Sequence, residues 1–100
     1  MNFNNLVGLG SAYQLQSDFP KAVESFERAL EENPPAIWIY RQLSPAYLEV
    51  GEISKAQRGV ALLRETSPGI TIMHVRDAMV LPERAMTWVC EGLKRAGLSD

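Results

Sequence analysis

Apolar positions between Asn4 and Pro34 fall into two stripes at helical spacing, separated by a short polar link. Leu6, Leu9, Gly10 and Tyr13 recur at intervals of three and four, which places them on one face of a first helix. Ala22, Val23, Phe26, Ala29 and Leu30 form the apolar face of a second. Pro20 suits the first turn of that helix, and Asn33-Pro34 ends it because proline cannot continue the hydrogen-bond ladder. Only Gln16 to Phe19 lie between the stripes, so the two helices must run antiparallel. The spacing predicts a hairpin with Leu9 and Tyr13 nearly buried against Ala22 and Phe26. Gly10 lets the two backbones approach.

The same pattern returns 34 residues later. Leu9, Ala12, Tyr13, Lys21, Ala22, Glu31 and Pro34 reappear as Leu43, Ala46, Tyr47, Lys55, Ala56, Glu65 and Pro68. Leu6 and Phe26 are answered by Tyr40 and Val60, Gly10 by Ser44, and Ala29 by Leu63. A fixed offset shared by large, small, aromatic and proline positions marks a structural repeat rather than a chance match. The second hairpin is expected over Ile37 to Val50 and from Ser54 onward, where Ser54 to Gln57 has capping-box form after a turn at Gly51. Pro45 interrupts the first of these helices, deletes the bond to the Arg41 carbonyl and predicts a kink. That bend is either simply tolerated, the plainer reading, or leaves the freed Arg41 carbonyl facing a ligand.

This arrangement resembles the tetratricopeptide repeat, in which a large residue, Leu, a small residue and Tyr mark the first helix. Ala, an aromatic, Ala and Pro mark the second. Residues 3 to 36 match that pattern almost completely, and 37 to 70 match it well. The resemblance implies an all-α fold, an antiparallel helical-hairpin solenoid of about six helices that twists into a superhelix. Residues 71 to 100 form a degenerate third repeat and C-terminal cap: Thr71 to Val80 carries Asp77 where leucine stood before, and Pro82 cuts it short. A last helix, Glu83 to Ala96, presents Ala85, Met86, Val89, Cys90 and Leu93 on one side and stops at Gly97. The chain is one domain, 1 to 100.

Leu81-Pro82-Glu83 and the run Glu91 to Leu98 bring a second resemblance, to the end of the repeat region in bacterial class III adenylate cyclases and related signalling proteins. That likeness implies a bacterial signalling context, while the cytoplasm is the default location because Met1 to Leu6 carry no basic, apolar signal pattern. It transfers no catalytic residue, because the cyclase domain has no counterpart here.

Composition narrows the function. With 46% hydrophobic residues in a chain of 100, one modest core can form. The net charge of -2 and interspersed signs argue against a nucleic-acid or anionic-membrane surface. One cysteine, Cys90, excludes an internal disulfide, and no apolar run has the length of a membrane span. His74 and Cys90 are the only histidine and thiol, so no metal set and no nucleophile-base pair assembles. His74 reads as a half-exposed polar residue and Cys90 as core. Gly8-Leu9-Gly10 lacks the strand and Lys-Ser/Thr of a phosphate loop. No catalytic, cofactor-binding or metal site is expected.

Function is then expected from surface. The first helices of stacked hairpins line a groove, to which Asn4, Val7, Ser11 and Gln14, then Trp38, Arg41, Pro45 and Leu48, and Ile72 and Val75 contribute. Trp38 and Arg41 are the residue types that most often dominate binding energy. The expected partner is a protein or peptide in this groove, and the chain reads as an interaction or self-association module. One alternative is a purely structural C-terminal cap of a longer solenoid. Another is a chaperone-tail-binding co-chaperone module, but its clamp positions hold Val7, Ser11, Gln42, Ile72 and Arg76, of which only the arginine fits. The N-terminal end offers Phe3, Val7 and Leu15 without a polar outer face, which predicts a homodimer through the first helices.

Overall fold

In the computed structural model, which describes residues 2–100, Asn2 caps the first helix by accepting from the Asn5 N–H at 2.9 Å. Helix α1 (Phe3–Leu15) is followed by α2 (Phe19–Glu32), which Asp18 caps through the Lys21 N–H, with Pro20 in its first turn. A 3-10 turn at Ile37–Ile39 leads into α3 (Tyr40–Glu49), and α4 (Ile53–Thr66) returns alongside it. The short helix α5 (Ile72–Ala78) and the amphipathic α6 (Glu83–Arg95) complete an all-α chain, with no strand among the described residues.

The connections within the first and second hairpins each place one residue in the left-handed region. In the first hairpin Ser17 takes φ 60°, and 34 residues on Gly51 takes φ 81°. Glycine reaches that region without a Cβ clash, whereas serine is strained there.

Packing of α1 on α2 centres on Gly10, where an added Cβ would lie 2.7 Å from the Phe26 ring. Phe26, Ala22, Ala29 and Leu6 are fully buried there. Leu9 and Tyr13 are only half-buried, which corrects the expectation that they would be nearly buried: Leu6 and Gly10 hold the contact, and no element covers the far side of α1. In the second hairpin the small residue moves to the other helix. Gly59 of α4 makes way for Ser44 and Tyr40 of α3.

Two further expectations are corrected. Ser54 does not cap α4: the helix begins one residue earlier, after Glu52, with no side-chain cap, so Ser54 already lies inside its first turn. The capping box belongs to α5, where Thr71 accepts from the His74 N–H and His74 Nδ1 accepts from the Thr71 N–H. Nor does the helix expected from Ile37 begin there as an α-helix: Ile37–Ile39 form the 3-10 turn, and α3 starts at Tyr40 and carries Pro45 inside it.

The third unit folds back. Helix α6 lies across α3, where a Cβ at Gly92 would sit 2.5 Å from the Pro45 Cβ, so the helix backbone rests on the proline ring. Trp88 stacks on Phe19 at 5.5 Å and donates to Glu49 at 3.3 Å. Val89 and Leu93 are fully buried, and Cys90 joins them in the core. After α6 the chain turns back: the Arg64 guanidinium donates to the Gly97 carbonyl, and the Ile72 N–H donates to the Ser99 carbonyl at 2.8 Å. The result measures 34 × 27 × 26 Å.

Candidate functional site

Helix α6 divides the expected groove into a closed half and an open half. On the closed side Pro45 carries the Gly92 backbone, Leu48 is half-buried against the core, and Gln14 is buried. Gln14 is tied into the fold. Its Oε1 accepts from Gln42 Nε2 at 2.9 Å, and the same nitrogen reaches Ser11 Oγ at 3.2 Å, so three polar side chains join α1 to α3. Buried amides need such partners, and each of these supplies another's.

On the open side stand Asn4, exposed, and Val7, half-buried. Trp38 is 45% exposed and meets Phe3 edge-on at 5.9 Å. Arg41, one turn along α3, projects between two clefts. One, of about 190 Å³, is lined by Pro35, Ile37, Trp38, Leu63, Thr66, Ser67 and Ile70. The other, of about 220 Å³, lies among Ser67 to Ile70, His74, Val75 and Ala78. The Arg41 Nε is buried and has no hydrogen-bond partner among the described residues. That nitrogen lies out of reach of solvent, so an outside carboxylate would meet the terminal N–H groups of this part-buried guanidinium.

Sequence reasoning brought Trp38 and Arg41 together but missed Ser67 and Ile70, which both clefts share. Those residues follow α4 and reach Arg41 only because Gly69, at φ 85°, turns the chain back. The Pro68-Gly69 pair was the available signal. Of the expected cap contributions, Val75 is buried and Ile72 half-buried. His74 is exposed and serves the α5 cap, and Arg76 pairs with Glu83 at 3.8 Å. No group of three or more metal-ligating side chains comes together among the described residues, and no helix there is long and apolar enough to cross a membrane.

A second surface is the outer side of the first hairpin. It is built from Leu9, Ala12 and Tyr13, not from Phe3 and Val7, which turn toward Trp38 and the core; Leu15 is 64% exposed beside Phe19 and Trp88. Lys21 Nζ stands 5.6 Å from the Tyr13 ring centroid, just as Lys55 stands 5.7 Å from that of Tyr47. Leu9 and Tyr13, with Lys21, Glu24, Ser25 and Arg28, line a shallow cleft of about 250 Å³.

One repeat later the corresponding residues are covered. Leu43, Ala46 and Tyr47 are buried where α3 meets α2, and the Tyr47 hydroxyl donates to Glu27 at 2.6 Å. Burial, and then the bond to the Glu27 carboxylate, push the Tyr47 phenol well above its ordinary pKa. Burial also raises Tyr40, against the opposing pull of Arg58.

Comparison of the chain with protein-family models, with curated proteins and with solved structures finds no match. The functional reading therefore rests on these two surfaces.

Proposed function

We propose that the chain is a non-catalytic protein-interaction module of the tetratricopeptide-repeat type, two hairpin repeats and a cap from a helical solenoid in a bacterial cytoplasmic signalling protein. The observation that carries this reading is the pairing of a half-exposed Trp38 with the part-buried Arg41 beside two clefts. Such a site suits an extended peptide with a carboxylate next to an apolar side chain. The carboxylate meets Arg41, and the apolar group enters the cleft beside Trp38 and Ile70.

Peptide display against the chain tests this, followed by titration of the selected sequences in a Trp88→Phe background so that Trp38 alone reports. Selected peptides should be acidic and shift the Trp38 emission, and Arg41→Gln should weaken them roughly tenfold or more while the fold persists. Selection of peptides indifferent to both Arg41→Gln and Trp38→Ala would discard the site.

A purely structural cap is the second reading, favoured by α6 filling the other half of the groove. Under it, display yields nothing that depends on Arg41. The co-chaperone reading finds less support, because Ser11 and Gln42 bond to each other and Arg76 is engaged by Glu83.

A further inference from the structure

The outer face of the first hairpin can be compared with an interface inside the same molecule. Leu43, Ala46 and Tyr47 are covered by α2, and Glu27 of α2 accepts a hydrogen bond from the Tyr47 hydroxyl. Leu9, Ala12 and Tyr13 repeat those residues, down to the lysine over the tyrosine ring, but among the described residues no further helix covers them: Leu9 and Tyr13 are half-buried and Ala12 is exposed. Whatever docks there must present a small or apolar helical surface and a carboxylate within reach of the Tyr13 hydroxyl.

A second copy of the chain has two ways to supply this. End to end, it would offer the side of α4 that corresponds to the covering side of α2. There Val23, Glu27 and Leu30 are replaced by Gln57, Ala61 and Arg64, so the acceptor is missing and Arg64 is already bound to the Gly97 carbonyl. Face to face, the outer side itself supplies what is needed: Glu24 lines the same cleft as Tyr13, with Lys21 and Arg28 on either side of it in sequence. A face with both signs of charge around an apolar centre is self-complementary under a two-fold axis.

We propose that Leu9, Ala12 and Tyr13, flanked by Lys21, Glu24 and Arg28, pair with the same face of a second copy to form a two-fold dimer. In that dimer each Glu24 accepts from the partner's Tyr13 or pairs with the partner's Lys21 or Arg28. Because the surface pairs with itself, assembly closes at two and does not run on into a filament.

Sedimentation of the wild-type chain from low to high micromolar concentration decides between these outcomes. The expected result is a reversible species of twice the 11.2 kDa chain mass. Ala12 is exposed and arginine is a good helix former, so Ala12→Arg leaves the monomer folded, as circular dichroism would verify. That substitution sets two like charges against each other at the centre and should weaken the dimer roughly a hundredfold or more. Glu24→Arg should also disrupt it, and Glu24→Arg with Arg28→Glu should recover part of the loss by restoring the balance of signs. Three results would overturn the proposal: a wild-type chain monomeric throughout, a dimer that Ala12→Arg leaves unchanged, or a mass that keeps growing past two with concentration.

Discussion

The first and second hairpins carry leucine, alanine and tyrosine at the same three positions and bury them to different extents. Leu43 is fully buried and Tyr47 is 6% exposed, while Leu9 and Tyr13 are half-open and Ala12 faces solvent. Local sequence is not the cause, since the residues are identical. The difference lies in the neighbour: α2 covers this side of α3, and among the described residues no helix covers the corresponding side of α1. A repeated residue therefore contributes to stability in proportion to what is packed on it.

The largest test of that comparison is a matched pair of truncations. Leu43→Ala should cost about 2 to 5 kcal/mol, as for a leucine removed from a closed core. Leu9→Ala should cost less than half as much, because part of its surface is already in water. Chemical denaturation of both variants measures the two losses. Equal losses would mean that the first hairpin is covered in solution, which concentration-dependent unfolding would then reveal.

The tyrosines sharpen the comparison through pH. Tyr47 has its pKa raised by burial and by Glu27, so the native chain keeps a proton that the unfolded chain releases at about pH 10. Stability from this group is complete below that pH and is lost as pH climbs toward the folded value, since the native state binds more protons there. Tyr40 adds to the effect in the same direction. Alkaline unfolding followed by circular dichroism should begin later for Tyr47→Phe, relative to that variant's own stability at neutral pH. Superimposable alkaline profiles would remove Tyr47 from the explanation.

The smallest effect concerns the turns. Gly51→Ala places a Cβ at φ 81° and should cost about 1 kcal/mol, whereas Ser17→Gly relieves the same strain at φ 60° and should gain about half that. A gain at Ser17 as large as the loss at Gly51 would show that serine there has no compensating interaction. A loss on Ser17→Gly would show that the hydroxyl holds the turn.

Much of this molecule was legible in the chain itself. The 34-residue register located both hairpins, and Asn33-Pro34 placed the end of the first, because these effects act within a few residues. Trp38 and Arg41 could be paired from spacing alone, one turn apart on one helix. Their surroundings could not be read, because Ser67 and Ile70 arrive from the far end of α4 and the Arg41 cleft forms only when that loop folds back. Pro45 shows the same limit. Its missing hydrogen bond was plain in the sequence, but its role as the seat of the Gly92 backbone depends on α6 crossing α3.

The sequence by itself determined which segments become helices and which faces are apolar, since periodicity, capping and proline act locally. Only the tertiary structure decided which of those faces are covered. Leu9 and Leu43 are the same residue in the same pattern, and their difference is set by helices distant in the chain, through burial that no local rule encodes.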